Sequence, residues 1–240
     1  MNNIKNKTAY VTGGSKGIGY SVAEELMKAG GNAIITSRSQ SSASAAADKL
    51  NAAGHPGKAL GMEADVRSLE SQRAAIARGK EEFGSVDVVV ANAGVGHFAN
   101  IADLTAEEWQ ETIDVNLTGV FNSVKAGLDE LIANEGYLIT IASLAGTNFF
   151  PKGSAYNASK FGLVGFTQAV MLDVRDKGVK VTTIMPGSVA TFFNDHQPSE
   201  ADAWKIQPED IGQIVVDLLR MPARTLPSKV EVRPTTPKSK

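Results

Sequence analysis

Apolar positions along the chain alternate between two periods. Short runs rich in β-branched residues recur at Thr8-Ala9-Tyr10-Val11-Thr12, Asn32–Ser37, Lys58–Ala64, Val86–Ala91, Gly136–Ala142, Val179–Met185 and Ser228–Val232. Between them lie stretches whose apolar residues fall three or four apart, as on one face of a helix. The first places Ile18, Val22, Leu26 and Ala29 on one stripe and stops at Gly30-Gly31. Further helices are predicted over Ser39–Ala53, Leu69–Phe83, Glu107–Ala133, Ala155–Lys177 and Pro208–Met221. Gly54 and Gly84 close two of them, and Pro222 stands just past the end of the last. Val86-Asp87-Val88-Val89-Val90-Ala91 is almost wholly apolar, the mark of a strand covered on both faces. Strand–helix alternation from end to end predicts a single-domain α/β fold. Its parallel sheet, of about seven strands, should carry helices on both faces. No Pro/Gly/Ser linker divides residues 1–233, and Pro234–Lys240 reads as a loose basic tail.

Composition narrows the function classes. With 42% hydrophobic and 21% charged residues the chain has the profile of an ordinary soluble globular protein. A net charge of −2 gives no reason to expect nucleic acid or an anionic membrane as a partner. No apolar run approaches the length of a membrane span, and Met1–Lys7 lacks the apolar core of a signal peptide. The absence of cysteine excludes a thiol nucleophile or thiolate metal site, and His55, His97 and His196 have no metal-ligand spacing. A cytoplasmic protein without a metal is the expectation.

Candidate chemistry begins in the first turn. Gly13-Gly14-Ser15-Lys16-Gly17-Ile18-Gly19 joins a strand to a helix start, where backbone N–H groups and the helix dipole can hold a pyrophosphate. Gly13 would allow the sharp turn, Gly17 the approach of the phosphates, and Gly19 the packing of helix on strand. Ser15, Lys16 and Ile18 complete the candidate phosphate loop. The second strand ends in Thr36-Ser37-Arg38-Ser39, with no acid to take a ribose 2′-hydroxyl. Arg38 can fork onto a 2′-phosphate, Ser39 can donate to it and Lys16 adds a second cation, a combination that favours NADP(H). Asn92-Ala93-Gly94 lies where ligands bind at the carboxyl end of a central strand. Asn116 is a polar residue in a helical stretch of low charge, either structural support or part of a site.

Tyr156 and Lys160 stand four apart in Ser154-Ala155-Tyr156-Asn157-Ala158-Ser159-Lys160, on one helix face. An ammonium beside the phenol should lower its pKa and make it a general acid or base. Taken alone, the pair reads more simply as two surface side chains. Its meaning rests on the rest of the chain.

The set Thr12-Gly13-x-x-x-Gly17-x-Gly19, Asp65-Val66, Asn92-Ala93-Gly94, Asn116, Ser143, Tyr156-x-x-x-Lys160 and Pro186-Gly187-x-x-x-Thr191 resembles the short-chain dehydrogenase/reductase family from about Lys7 to Val232. The resemblance implies a Rossmann-like fold and an NADP(H)-dependent oxidoreductase interconverting a ketone or aldehyde and an alcohol. It implies that Tyr156 exchanges the proton, that Lys160 lowers the Tyr pKa and bonds the nicotinamide ribose, and that Ser143 binds the substrate oxygen. Asn116 would hold a water linking Lys160 to solvent. Asp65 and Val66 would border the adenine, and Val189 and Thr191 would contact the carboxamide after the Pro186-Gly187 turn. A non-catalytic NADP(H) sensor or scaffold on the same fold is the alternative, though such relatives typically lose the Tyr, Lys or Ser.

The run Asn116-Leu117-Thr118-Gly119-Val120-Phe121 is similar to 3-oxoacyl-acyl-carrier-protein reductases, where Arg175, Lys177 and Lys180 could meet an acidic carrier or merely end a helix in solvent. A general carbonyl reductase fits equally. His97, Phe98, Phe149, Phe150, Phe192, Phe193 and Trp204 either line an apolar substrate pocket or pack loops. The segment 192–207 is short for a lid, so a rather open site is expected. Phe161–Leu172 carries no charge on any face, and Val115–Val124 is similar. Helices apolar all round need cover on every side, and family members pair through these two, so a homodimer or homotetramer is expected.

Overall fold

The computed structural model describes residues 3–236. Seven strands form one all-parallel sheet: β1 (Thr8–Val11), β2 (Asn32–Ser37), β3 (Ala59–Glu63), β4 (Val88–Ala91), β5 (Tyr137–Ile141), β6 (Lys180–Pro186) and β7 (Lys229–Val232), in the order β3-β2-β1-β4-β5-β6-β7. The helices between them are α1 (Gly17–Lys28), α2 (Gln40–Ala52), α3 (Leu69–Phe83), α4 (Ala106–Ile113), α5 (Gly119–Ala133), α6 (Ser154–Val174) and α7 (Pro208–Arg220).

Because strand side chains alternate, each strand serves two cores. Val11, Ile35, Val90 and Ile139 face one layer with Val22 and Leu26 of α1, Leu50 of α2 and Val215 and Leu219 of α7. Tyr10, Ile34, Val89 and Leu138 face the other, with Ile76 of α3, Val124 and Leu131 of α5 and Val174 of α6. Burial on both sides explains why the central strands are near-continuous apolar runs. At the edge, β7 exposes Lys229 and Glu231, and charge there discourages pairing with another sheet. Among the described residues no helix is long and apolar enough to cross a membrane.

Two expectations need revision. The helix predicted over Glu107–Ala133 is interrupted by a π-helical segment, Asp114–Thr118, which carries Asn116. Such one-turn π insertions usually occur at functional sites, and apolar periodicity does not register them. Secondly, the helix predicted to reach Lys177 gives way to a 3-10 turn at Arg175–Lys177 and stops at Gly178 with φ 77°. That turn and Lys180 lie at the amino end of β6, opposite the end that carries the site, and Lys180 Nζ donates to the carbonyls of Pro222 and Thr225 at 3.1 Å each. These cations do not form a docking patch beside the cleft. Of the segment read as a loose tail, Pro234 packs over Gly187 and residues 237–240 lie outside the described residues.

Asp87 ties the amino ends of β1 and β4 together. Its buried carboxylate accepts from Lys7 Nζ (2.7 Å), the Thr8 N–H (3.0 Å) and Ser85 Oγ (2.8 Å). Removing it strands two donors and a cation. Asp87→Ala should therefore lose about 2–4 kcal/mol in urea unfolding. Asp87→Asn, which keeps one acceptor, should lose less.

Candidate active site

The order of strands reverses between β1 and β4, because β2 and β3 lie to one side and β5 to β7 to the other. Loops leaving neighbouring strands at such a point diverge and open a crevice at their carboxyl ends. Side-chain hydrogen bonds pin that edge. Thr12 Oγ1 accepts from the N–H groups of Asn92 (3.0 Å) and Ala93 (3.1 Å), and Asn92 Nδ2 donates to the carbonyls of Thr12 (2.9 Å) and Gly13 (3.2 Å).

The glycine loop is shaped around this clamp. Gly13 has φ +64°, in the left-handed region. A Cβ on Gly19 would sit 2.5 Å from the Gly13 carbonyl oxygen and 2.6 Å from the Asn92 amide nitrogen, so α1 could not dock as it does. The first turn of α1 has neither an acidic residue nor a side-chain cap, and its N–H groups face the crevice as an anion-binding end. The resulting cleft, about 1330 Å³, is lined by Gly13, Ser15, Lys16, Gly17 and Ile18 of this loop and by Arg38 at the end of β2. Asp65, Val66, Asn92, Ala93 and Gly94 follow, and Pro186, Gly187, Val189 and Thr191 form the opposite wall.

Asp65 is held by Arg67, whose guanidinium and N–H both bond its carboxylate, and this keeps the carboxyl below its ordinary range. Gly19 supports the loop from behind. Ser39 is not part of the lining: it caps α2, accepting from the Ser42 N–H at 3.4 Å.

Tyr156 and Lys160 reach the cleft from the first turns of α6, and Ser143 from the end of β5. Lys160 is 4% exposed, and its Nζ donates to the Ile141 carbonyl at 3.1 Å. Burial pulls its pKa down to about 8. Tyr156 is the opposite of the sequence expectation, since burial pushes its phenol up to about 12 and the facing Ser143 hydroxyl offsets only part of the rise. The reason is geometric: Lys160 Nζ lies 5.6 Å from the centre of the Tyr ring, Lys160 is buried and Tyr156 is half-buried under Phe98 and Phe193. Loss of hydration then outweighs attraction. The Ser143 hydroxyl also accepts from the Ala145 N–H (3.1 Å), which fixes its orientation.

Asn116 lies behind the cleft and is fully buried. Its Oδ1 accepts from the Val95 N–H (2.8 Å), and its Nδ2 donates to the Val95 carbonyl (2.9 Å) and to Ser159 Oγ (3.1 Å). The side chain thus supports the loop after Gly94, one of the two readings open from the sequence.

Several residues of the site escaped sequence reasoning. Asn157, beside Tyr156, donates to the carbonyls of Ala145 and Asn148 at 2.7 Å each and holds that loop against α6. Glu111 was missed as well: it lines the cleft and pairs at 2.8 Å with His97, a pocket candidate from the sequence. In the segment after Thr191, buried Asp202 binds His196 and Lys205 at 2.6 Å each and the Ser199 N–H at 3.1 Å, so its carboxyl is held far below the usual range. The capping-box spacing Ser199-x-x-Asp202 was a legible signal for that hub. This segment folds partly over the site. Phe193 folds down to 5.7 Å from Tyr156 and 6.3 Å from Phe98, ring centre to ring centre, and Phe192 lies 5.8 Å from Lys16 Nζ.

Comparison with known proteins agrees with this geometry. Residues 7–202 match the family model described as short chain dehydrogenase. Oxidoreductase UcpA of Salmonella typhimurium is 34% identical over 235 residues, covering 97% of this chain and 86% of that protein. Trans-4-hydroxycyclohexanecarboxylate dehydrogenase of Sinomonas cyclohexanicum is 35% identical over 192 residues, covering 78% and 74%. The chain also matches glycine betaine reductase ATRR of Emericella nidulans at 31% identity, but spans only 19% of its length. The crystal structure of an alcohol dehydrogenase from the archaeon Thermococcus sibiricus, complexed with 5-hydroxy-NADP, superposes with a TM-score of 0.88 at 29% identity, covering 98% of this chain and 99% of that one. The match over residues 7–202 and the 34% identity to an oxidoreductase across most of both chains show that the chain is an oxidoreductase and belongs to the short chain dehydrogenase family.

Proposed function

We propose that the protein is an NADPH-dependent reductase that converts a ketone or aldehyde to an alcohol, with Tyr156 as general acid. The observation that carries this reading is the convergence of Ser143, Tyr156 and buried Lys160 on the same cleft as the uncapped start of α1 and the free side chain of Arg38. The cleft suits a dinucleotide: its glycines leave room where side chains would intrude, and its volume exceeds that of a single small-molecule pocket. Gly13, Ser15, Lys16, Gly17 and Ile18 would hold the pyrophosphate. Asp65 and Val66 would border the adenine, and Asn92, Ala93, Gly94, Pro186, Gly187, Val189 and Thr191 would line the rest. A bound nicotinamide supplies the hydride that reaches the carbonyl carbon.

The chain's own groups handle the oxygen. Ser143 donates to it as negative charge develops. The Tyr156 phenol then gives up its proton, and the Lys160 ammonium steadies the phenolate left behind. Lys160 carries its charge below a pKa of about 8 and loses it as pH rises through that value, so this support is present at neutral pH. Asn116 acts as a positioning residue, holding Val95 and Ser159 beside the pair. A sensor or scaffold role has no observation in its favour.

Cofactor choice is read from the end of β2. Ser37 and Arg38 stand there in place of a carboxylate, and among the described residues Arg38 forms no ion pair. It is free to fork onto a 2′-phosphate, with Lys16 as a second cation. The relative complexed with 5-hydroxy-NADP supports this preference. The relative whose name specifies a hydroxylated cyclohexane ring supports a secondary alcohol as product.

We also propose a symmetric homo-oligomer. Phe121 of α5 and Phe161 and Leu172 of α6 stay 44–55% exposed, on the two charge-poor helical stretches. Water is a costly neighbour for so much aromatic surface.

Three outcomes test these statements. Tyr156→Phe should cut turnover by about 10²–10⁴-fold while NADPH binding survives, and undiminished turnover would refute the acid role. Arg38→Ala should lower kcat/KM for NADPH by about 10- to 100-fold and leave that for NADH nearly unchanged. Sedimentation should give at least a dimer at micromolar concentration, shifted toward monomer by Phe161→Glu.

A further inference from the structure

The substrate half of the cleft is built differently from the cofactor half. Phe98 touches three other rings: Tyr156 at 5.3 Å and 64°, Phe150 at 5.9 Å, and Phe193 at 6.3 Å and 66°. Phe193 lies 5.7 Å from Tyr156 as well. Phe98 and Phe193 thus pack on the Tyr156 ring, and Phe150 packs on Phe98 behind them. These separations are those of rings in contact. Phe98 and Phe150 stay 37% and 43% exposed, so a ring on the substrate can lie against them, and it reaches Tyr156 most fully where Phe193 moves aside.

Phe193 is the ring placed to yield. It stands on the short segment after Thr191, next to Asn194 and Asp195, whose φ values of 54° and 57° make a left-handed turn of the kind Asn and Asp tolerate. That turn, outside any long helix or strand, is what aims the ring at Tyr156. The far side of the segment is anchored by Asp202 to His196 and Lys205. Gly96 provides the seat, for a Cβ there would come 2.6 Å from Phe193 and 3.0 Å from Phe98. The other elements holding the cage are equally committed: Asn157 ties down the loop that bears Phe150, accepting from the Phe150 N–H at 3.4 Å.

Charge points the same way. Among the described residues, His97 faces Glu111, Lys205 and His196 face Asp202, and Arg233 faces Glu231 at 2.9 Å. The lining cations without a carboxylate are Lys160, buried on the Ile141 carbonyl beside Tyr156, and Lys16 and Arg38 in the half proposed for the cofactor. A planar ring that displaces Phe193 restores the ring-to-ring contacts with Phe98 and Tyr156, which an extended chain cannot do.

We propose that Phe98, Phe150 and Phe193 select uncharged carbonyl compounds in which the reacting group is borne on a planar ring, and that Phe193 sets this preference. The inference rests on the carbonyl-reductase reading and narrows it to a substrate class, away from acyl thioesters on charged carriers.

The test compares kcat/KM, with NADPH in excess, for an aryl ketone, a straight-chain ketone of equal carbon count, the aryl ketone carrying a ring carboxylate, and a 3-oxoacyl thioester of coenzyme A. The neutral aryl ketone should be preferred over the chain by about tenfold, since each ring pair contributes about three- to tenfold. It should also exceed the carboxylated ring and the thioester. In Phe193→Ala the ring-to-chain ratio should fall toward one, and Phe193→Leu, apolar but without a ring, should recover little of it. NADPH affinity measured on both variants shows that the cofactor half is intact. A wild-type preference for the chain or the thioester, or an unchanged ratio in Phe193→Ala, would overturn the cage and leave the reductase reading standing. NADPH binding without turnover of any of these carbonyls would overturn the reductase reading and the cage with it.

Discussion

An ammonium group buried with a single carbonyl for company is the constraint on which this site depends. Lys160 is almost inaccessible, and its Nζ donates to the Ile141 carbonyl at the end of β5. Among the described residues, no carboxylate neutralises it. Such burial costs stability, and the protein accommodates it only because β5, α6 and the loop after β4 meet at one point. A Cβ on Gly94 would come within 3.8 Å of Nζ, and the same loop is fixed by the Asn116 amide. The same low-polarity surroundings that pull Lys160 down push Tyr156 up, so the two groups start from opposite displacements toward a shared task.

The cofactor half obeys a different balance of forces. There the backbone does most of the work, through uncapped N–H groups at the start of α1 and glycines that keep side chains out of the way. The Thr12–Asn92 clamp makes that arrangement rigid by joining the ends of two strands whose following loops diverge. Fixed donors need no reorganisation when an anion arrives. This is the physical reason that a short glycine-rich turn, weak as a pattern, becomes a specific site once two central strands hold it.

The half of the cleft proposed for the substrate is aromatic. Phe193 lies against Tyr156 while Asp202 anchors the other side of the same short segment through His196 and Lys205. The rings packed on Tyr156 remove water from part of the phenol, the loss of hydration that raises its pKa.

Seven strands, their alternation with helices and the two-sided burial of the central ones were legible in the sequence, because a strand covered on both faces leaves a run such as Val88-Val89-Val90-Ala91 that no other element needs. The glycine turn and the spacing of Tyr156 and Lys160 were legible for a similar reason: both are set by geometry within a few residues. Only the tertiary structure decided the π-helical turn at Asn116, the sign of the Tyr156 displacement and the placing of Phe193 over Tyr156. Each depends on groups far apart in the chain, such as Asn116 on Val95, Tyr156 on Phe98 and Phe193, and Phe193 on Gly96. Local pattern carries periodicity and spacing. It does not carry how completely water is excluded from a pair of groups, and at this site the exclusion of water sets the chemistry.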